Sequence, residues 1–110
     1  MAIKPGIYAA SMSILNEDLS IDIDSTIKHG EKLVTEGCEG IAFFGSTGQS
    51  QLISLYEKLK FIEKISNNKF KNHFLIGTGE NSLNHNIEIM KCCLKNGINR
   101  FLVMPPAYYK

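Results

Sequence analysis

The residues best placed to do chemistry are Gly45-Ser46-Thr47-Gly48, two adjacent hydroxyls between two glycines. They follow directly on the apolar run Ile41-Ala42-Phe43-Phe44. A strand running into such a turn makes a small anion cradle. Glycine lets the backbone fold tightly and approach a ligand, while hydroxyls and N–H groups donate to a carboxylate or phosphate. A second turn, Gly77-Thr78-Gly79-Glu80-Asn81, follows the apolar stretch that ends at Ile76. The pair Tyr108-Tyr109 follows Pro105-Pro106 and Ala107. Paired tyrosines are commonly interface aromatics, so this pair acquires weight only beside the two turns.

Other chemistries fit less well. The second turn imitates the opening of a dinucleotide fingerprint, but it lacks the third glycine and a suitably placed acidic residue. Gly45 to Ser50 lacks the lysine of a nucleotide-binding P-loop. Cys38 stands alone and Cys92-Cys93 are adjacent, without the two-residue gap of a zinc knuckle. His29, His73 and His85 form no ligand-spaced set around them. Neither a metal nor a cofactor is expected, and the cysteines read as small, partly buried apolar residues.

The elements that must position these residues alternate strand and helix. Gly6 to Ser11 reads as a first strand, and residues 12–21 as a polar turn region. Asp22 or Asp24 can start a helix whose stripe is Ile23, Ile27, Gly30 and Val34, ended by Gly37. Gly40 to Phe44 is continuously apolar, as a strand covered on both faces would be. Ser54-Leu55-Tyr56-Glu57 is a capping box, followed by Leu55, Leu59, Ile62 and Ile65 on one helical face. Asn67-Asn68-Lys69 breaks that helix, and His73 to Ile76 is a third strand. Ser82 can cap a third helix with Ile87, Met90, Leu94 and Gly97 in register, before a fourth strand from Phe101 to Met104. Leu33-Val34-Thr35-Glu36-Gly37 and Leu94-Lys95-Asn96-Gly97 echo each other ahead of the second and fourth strands. The order is β-α-β-α-β-α-β with right-handed parallel crossovers, the arrangement of doubly wound sheets and eight-fold barrels. In either, ligands bind at the carboxyl ends of the strands, where both turns and the tyrosines fall.

Composition bounds the rest. A chain of 110 residues with 44% hydrophobic and 21% charged residues fits one globular domain. The formal net charge of +1, with lysines dispersed among carboxylates, gives no reason to expect nucleic acid or an anionic membrane as partner. No apolar run reaches the roughly 20 residues of a bilayer span. Residues 1–6 lack a signal-peptide pattern, so a cytoplasmic location is expected.

Taken with their spacing, the two turns and Pro106 with its tyrosine pair resemble the dihydrodipicolinate synthase / N-acetylneuraminate lyase family along essentially the whole chain. The resemblance implies a (β/α)8 TIM barrel, of which this chain is the first half, about four βα units. It also implies an aldolase or lyase that binds pyruvate, or a 2-oxo acid containing it, as a Schiff base on a lysine, commonly as a homo-oligomer. By the same resemblance Gly45, Ser46, Thr47 and Gly48 bind the substrate, with the Thr47 hydroxyl and the turn N–H groups on its carboxylate. Ser46 belongs to a proton relay, completed across a subunit interface by Tyr108, or by Tyr109 if Ala107 is an insertion.

The chain departs from the family pattern in three places. Gln49 replaces a glutamate, Ser46 replaces the threonine usual in the synthases, and Ser11-Met12-Ser13 lacks the usual Thr-Pro. The family's Schiff-base lysine lies on its sixth strand, and Lys110 is at the wrong place to replace it. Residues 1–110 are therefore expected to be a partial barrel, truncated after the fourth strand and inactive alone. Two alternatives are a non-catalytic α/β module that binds a carboxylate or phosphate through the Gly45–Gly48 turn, and a flavodoxin-like nucleotide domain.

Overall fold

A computed structural model describes residues 6–45, 53–78 and 83–102. The elements are β1 (Tyr8–Ala10), α1 (Ile23–Thr35), β2 (Gly40–Phe43), α2 (Leu55–Ile65), β3 (Phe74–Gly77), α3 (Leu83–Lys95) and β4 (Phe101–Leu102). All strand pairings are parallel and the sheet order is β1-β2-β3-β4, the order of the chain. Ala9 pairs with Ile41, Ile41 with Phe74, and Ile76 with Phe101. Right-handed crossovers then place the helices on one face of the sheet.

The core lies between that face and the helices. Phe43 is its centre, with ring centroids 4.7 Å from Phe61 of α2 and 5.0 Å from Phe74 of β3. Gly30 of α1 is there because a Cβ would meet the Phe43 ring at 2.5 Å. Ile41, Ile62, Ile65, Ile76, Ile89 and Cys93 fill the remaining space, all fully buried. On the opposite face, a Cβ on Gly40 would strike the Tyr8 ring at 2.3 Å and approach Leu75 at 3.1 Å, so these three share the surface away from the helices.

The helix boundaries follow local chemistry. Asp22 is the N-cap of α1, accepting from the Ser25 N–H at 3.1 Å and the Ser25 hydroxyl at 2.8 Å. The capping box of α2 is complete in both directions between Ser54 and Glu57. The echoing segments end their helices alike. Gly37 and Gly97 have φ of 111° and 81°, and each is followed by a residue whose N–H returns to the carbonyl five residues earlier (Cys38 to Leu33 at 3.1 Å, Ile98 to Cys93 at 2.8 Å).

Several elements differ from the sequence expectation. β2 stops at Phe43, because Phe44 turns into the left-handed region at φ 63°. β3 begins at Phe74, and His73 lies in a 3₁₀ turn with Nδ1 2.8 Å from the Glu39 carbonyl. The buried face of α2 includes Lys58 and Phe61 beside Ile62 and Ile65, while Leu55 and Leu59 are only partly covered. In α3 the buried residues are Ile89 and Cys93, whereas Ile87 and Leu94 are exposed. At about 100° per residue, the side of α3 bearing Cys92 and Asn96 meets α2, and Ile89 and Cys93 enter the core. The Leu83-Ile87-Leu94 stripe is left on the flank opposite α2. Of the expected stripe, Ile87 and Leu94 face away from α2, while Met90 is half-buried.

Candidate functional site

The carboxyl ends of the strands are drawn together by close backbone packing. Phe44, fully buried with its ring centroid 4.9 Å from that of Phe61, leaves β2 in a conformation that bulky L-residues rarely adopt. Its carbonyl oxygen lies 2.5 Å from where a Cβ on Gly77 would sit, so only glycine at the end of β3 admits the turn this closely. Gly45, directly after it, is buried. Beside these, Ser11 at the end of β1 donates its N–H to the Ala42 carbonyl at 2.9 Å and is 1% exposed. Thr78 at the end of β3 is fully buried, and its Oγ1 has no hydrogen-bond partner among the described residues.

The β1–α1 loop is fastened over the same end. Thr26 Oγ1, buried, accepts from the Ile14 N–H at 3.0 Å and donates to the Asp22 carbonyl at 2.8 Å. Glu57 joins this loop to the start of α2. One carboxylate oxygen accepts from the Ser54 N–H at 3.0 Å and the other from the Ile21 N–H at 2.8 Å. Burial pushes the Glu57 carboxyl up, but the hydrogen bonds from Ile21 and Ser54 outweigh it and hold the group below its ordinary value. The segment between β2 and α2 is therefore anchored at one end by Phe44 against Gly77 and at the other by a clamped helix start.

Of the residues expected to act here, Gly45 is in this frame. Ser46, Thr47, Gly48, Tyr108 and Tyr109 lie outside the described residues, as do Gln49, Gly79, Glu80, Asn81 and Ser82. Two polar residues at the strand ends, Ser11 and Thr78, were not singled out individually by the sequence reading. Their signal was positional, each being the first hydroxyl after a strand. Among the described residues no group of three or more His, Cys, Asp or Glu could hold a metal ion. The cysteines are buried or half-buried, and burial together with the neighbouring Cys92 pushes the Cys93 thiol up to about 12. No described helix is long and apolar enough to cross a membrane.

Fold and frame define the class: three βα units and a fourth strand of a TIM barrel, with polar residues at the strand carboxyl ends. Comparison with known proteins names the family. The chain belongs to the dihydrodipicolinate synthetase family, whose model matches residues 4–110. It is 34% identical over 93 residues to the 4-hydroxy-tetrahydrodipicolinate synthase of Thermosipho africanus, covering 82% of this chain and 31% of that protein. It also resembles the crystal structure of N-acetylneuraminate lyase from Fusobacterium nucleatum at 31% identity and a TM-score of 0.78, over 96% of this chain and 37% of that one. A prophage protein of the family from E. coli K12, in complex with pyruvate, superposes with a TM-score of 0.81 at 25% identity over 99% of this chain and 37% of its own. The chain thus spans about a third of the length of these relatives.

Proposed function

We propose that residues 1–110 supply the carboxylate-holding side of a pyruvate-dependent, Schiff-base-forming lyase or aldolase active site. The observation that carries this reading is the frame at the strand ends, in which Phe44 and Gly77 meet and Gly45 opens the turn, in a chain whose family includes a pyruvate-bound structure. In this reading the Thr47 hydroxyl and the N–H groups of Ser46 and Thr47 hold the 2-oxo acid carboxylate. Donors that are oriented before substrate arrives need little reorganisation at the reacting carbon.

Schiff-base formation joins a lysine nitrogen to the 2-oxo carbon and releases the carbonyl oxygen as water, so protons must reach that oxygen. Ser46 and a tyrosine, Tyr108 or Tyr109, form the relay that delivers them, the tyrosine from a neighbouring subunit of a homo-oligomer. The lysine belongs to a strand beyond the four described here, and residues 1–110 alone do not form the adduct. Borohydride reduction of the intact protein with pyruvate tests this directly. A lysine-linked adduct seen by mass spectrometry is expected, weakened strongly by Thr47→Val. Absence of any adduct from folded protein overturns the reading and leaves the alternative of a carboxylate- or phosphate-binding module.

A further inference from the structure

At the other end of the sheet, the segments entering β3 and β4 border an open cavity of about 280 Å³. Lys71, Asn72, Gly97, Asn99 and Arg100 line it, over the buried side chains of Phe74 and Ile98. Its volume is just under the range of about 300–1,000 Å³ usual for small-molecule sites, so a fitting ligand is small. No carboxylate is among the lining residues. The cavity between α2 and α3 is different, since there Glu63 and Glu88 stand with Lys91 and Lys95 and the charges answer one another.

Arg100 is the informative residue. Its Nη1 is buried and has no hydrogen-bond partner among the described residues. Buried donors are almost always matched, and a guanidinium offers a planar fork suited to an oxyanion. Lys71 faces the same space. Its Nζ lies 2.9 Å from where a Cβ on Gly97 would sit, so the ammonium crosses the α3–β4 turn at a point where glycine leaves room. The carbonyls at the end of α3 give Lys71 some reason to be there. They give none to the buried nitrogen of Arg100.

We propose that this cavity is a second ligand site, for a small phosphate-class oxyanion held by the Arg100 fork and closed over by Lys71. The ligand is free phosphate or the head of a small phosphate monoester. In parallel α/β barrels the amino-terminal end of the strands serves stability rather than chemistry. A bound anion there ties the start of β3 to the start of β4, far from the carboxylate turn.

Titration of the intact protein with inorganic phosphate, followed by calorimetry and thermal melting, tests the site. Saturable binding is expected, with a melting point that rises with phosphate and not with sodium chloride at matched ionic strength. Glycerol phosphate run in parallel assigns the source, tighter binding than phosphate meaning an organic monoester and equal or weaker binding meaning the free ion. Arg100→Met should weaken binding by about 10- to 100-fold, the loss of a charge-assisted hydrogen-bonding group. Without phosphate the same variant should melt no lower than the parent, because it removes a buried Nη1 that has no partner among the described residues. Lys71→Met should weaken binding less. Pyruvate trapping should be unchanged in both variants. Equal stabilisation by sodium chloride, retained affinity in Arg100→Met, or a phosphate-free Arg100→Met that melts lower or fails to fold would each overturn the proposal. The last outcome would mean that Arg100 is neutralised by the protein itself.

Discussion

The two ends of the sheet solve the problem of receiving an anion in opposite ways. At the carboxyl end the described polar groups are short and uncharged, Ser11 and Thr78, set around a backbone packed so tightly that Gly77 has no substitute. At the amino end they include two long cations, Lys71 and Arg100, which line an open cavity together with Asn72, Gly97 and Asn99. A backbone cradle fixes where a ligand atom sits, whereas long side chains fix mainly its charge. The difference explains why a reacting 2-oxo acid suits the first end and an anion that need only be held suits the second.

The largest test of this contrast is Gly77→Ala. Its Cβ would collide with backbone that cannot swing aside, so a loss of about 3 kcal/mol is expected in urea unfolding, with weakened pyruvate trapping. Next, Glu57→Ala should cost about 2 kcal/mol by removing the acceptor of the Ser54 N–H, the reciprocal half of the α2 capping box, and orphaning the Ile21 N–H. Because the folded Glu57 carboxyl lies below its ordinary value, its contribution is present above the unfolded value and lost as pH falls through the folded one. Acid-unfolding curves of parent and variant should therefore converge at low pH. At the amino end, Gly97→Ala should cost only about 1–2 kcal/mol, since φ of 81° is its main constraint and the Lys71 tip can move. Equal losses for Gly77→Ala and Gly97→Ala would break the comparison. The smallest effect is expected from Thr78→Val, which removes a buried hydroxyl without a described partner. Thermal melts should show it neutral or stabilising by up to about 1 kcal/mol.

Much of the fold was readable because local chemistry and tertiary packing agree. Asp22, one of two candidates beside Asp24, and the Ser54–Glu57 box announce helix starts by hydrogen bonds available within a few residues; Asp22 proves to be the cap and the box forms as read. Gly37 and Gly97 end helices for the same local reason. What failed to appear in the sequence depends on partners far along the chain. Periodicity showed that α3 has an apolar stripe through Ile87 and Leu94, but not that α2 and the sheet meet the helix elsewhere. Phe44 read as a strand residue because its left-handed turn answers to Gly77, 33 positions later. The same holds for the Glu57 contact with Ile21, a second role for a capping residue that spacing does not reveal. For the candidate site, sequence reading named Gly45 to Gly48, and the described structure reaches the first of these, Gly45, beside the close packing of Phe44 on Gly77.

The identity of strand order and chain order has a consequence for how the molecule comes into being. Every described pairing joins a strand to the one made just before it, so no strand must wait for a distant partner. Each new βα unit can add to a template already formed during synthesis, and the entropy of closing a long loop is never incurred at once. The uncovered flank of α3 is the latest surface of that growth among the described helices. Assembly by accretion would put the Phe44–Gly77 contact in place as soon as β3 emerges, before β4 has been made.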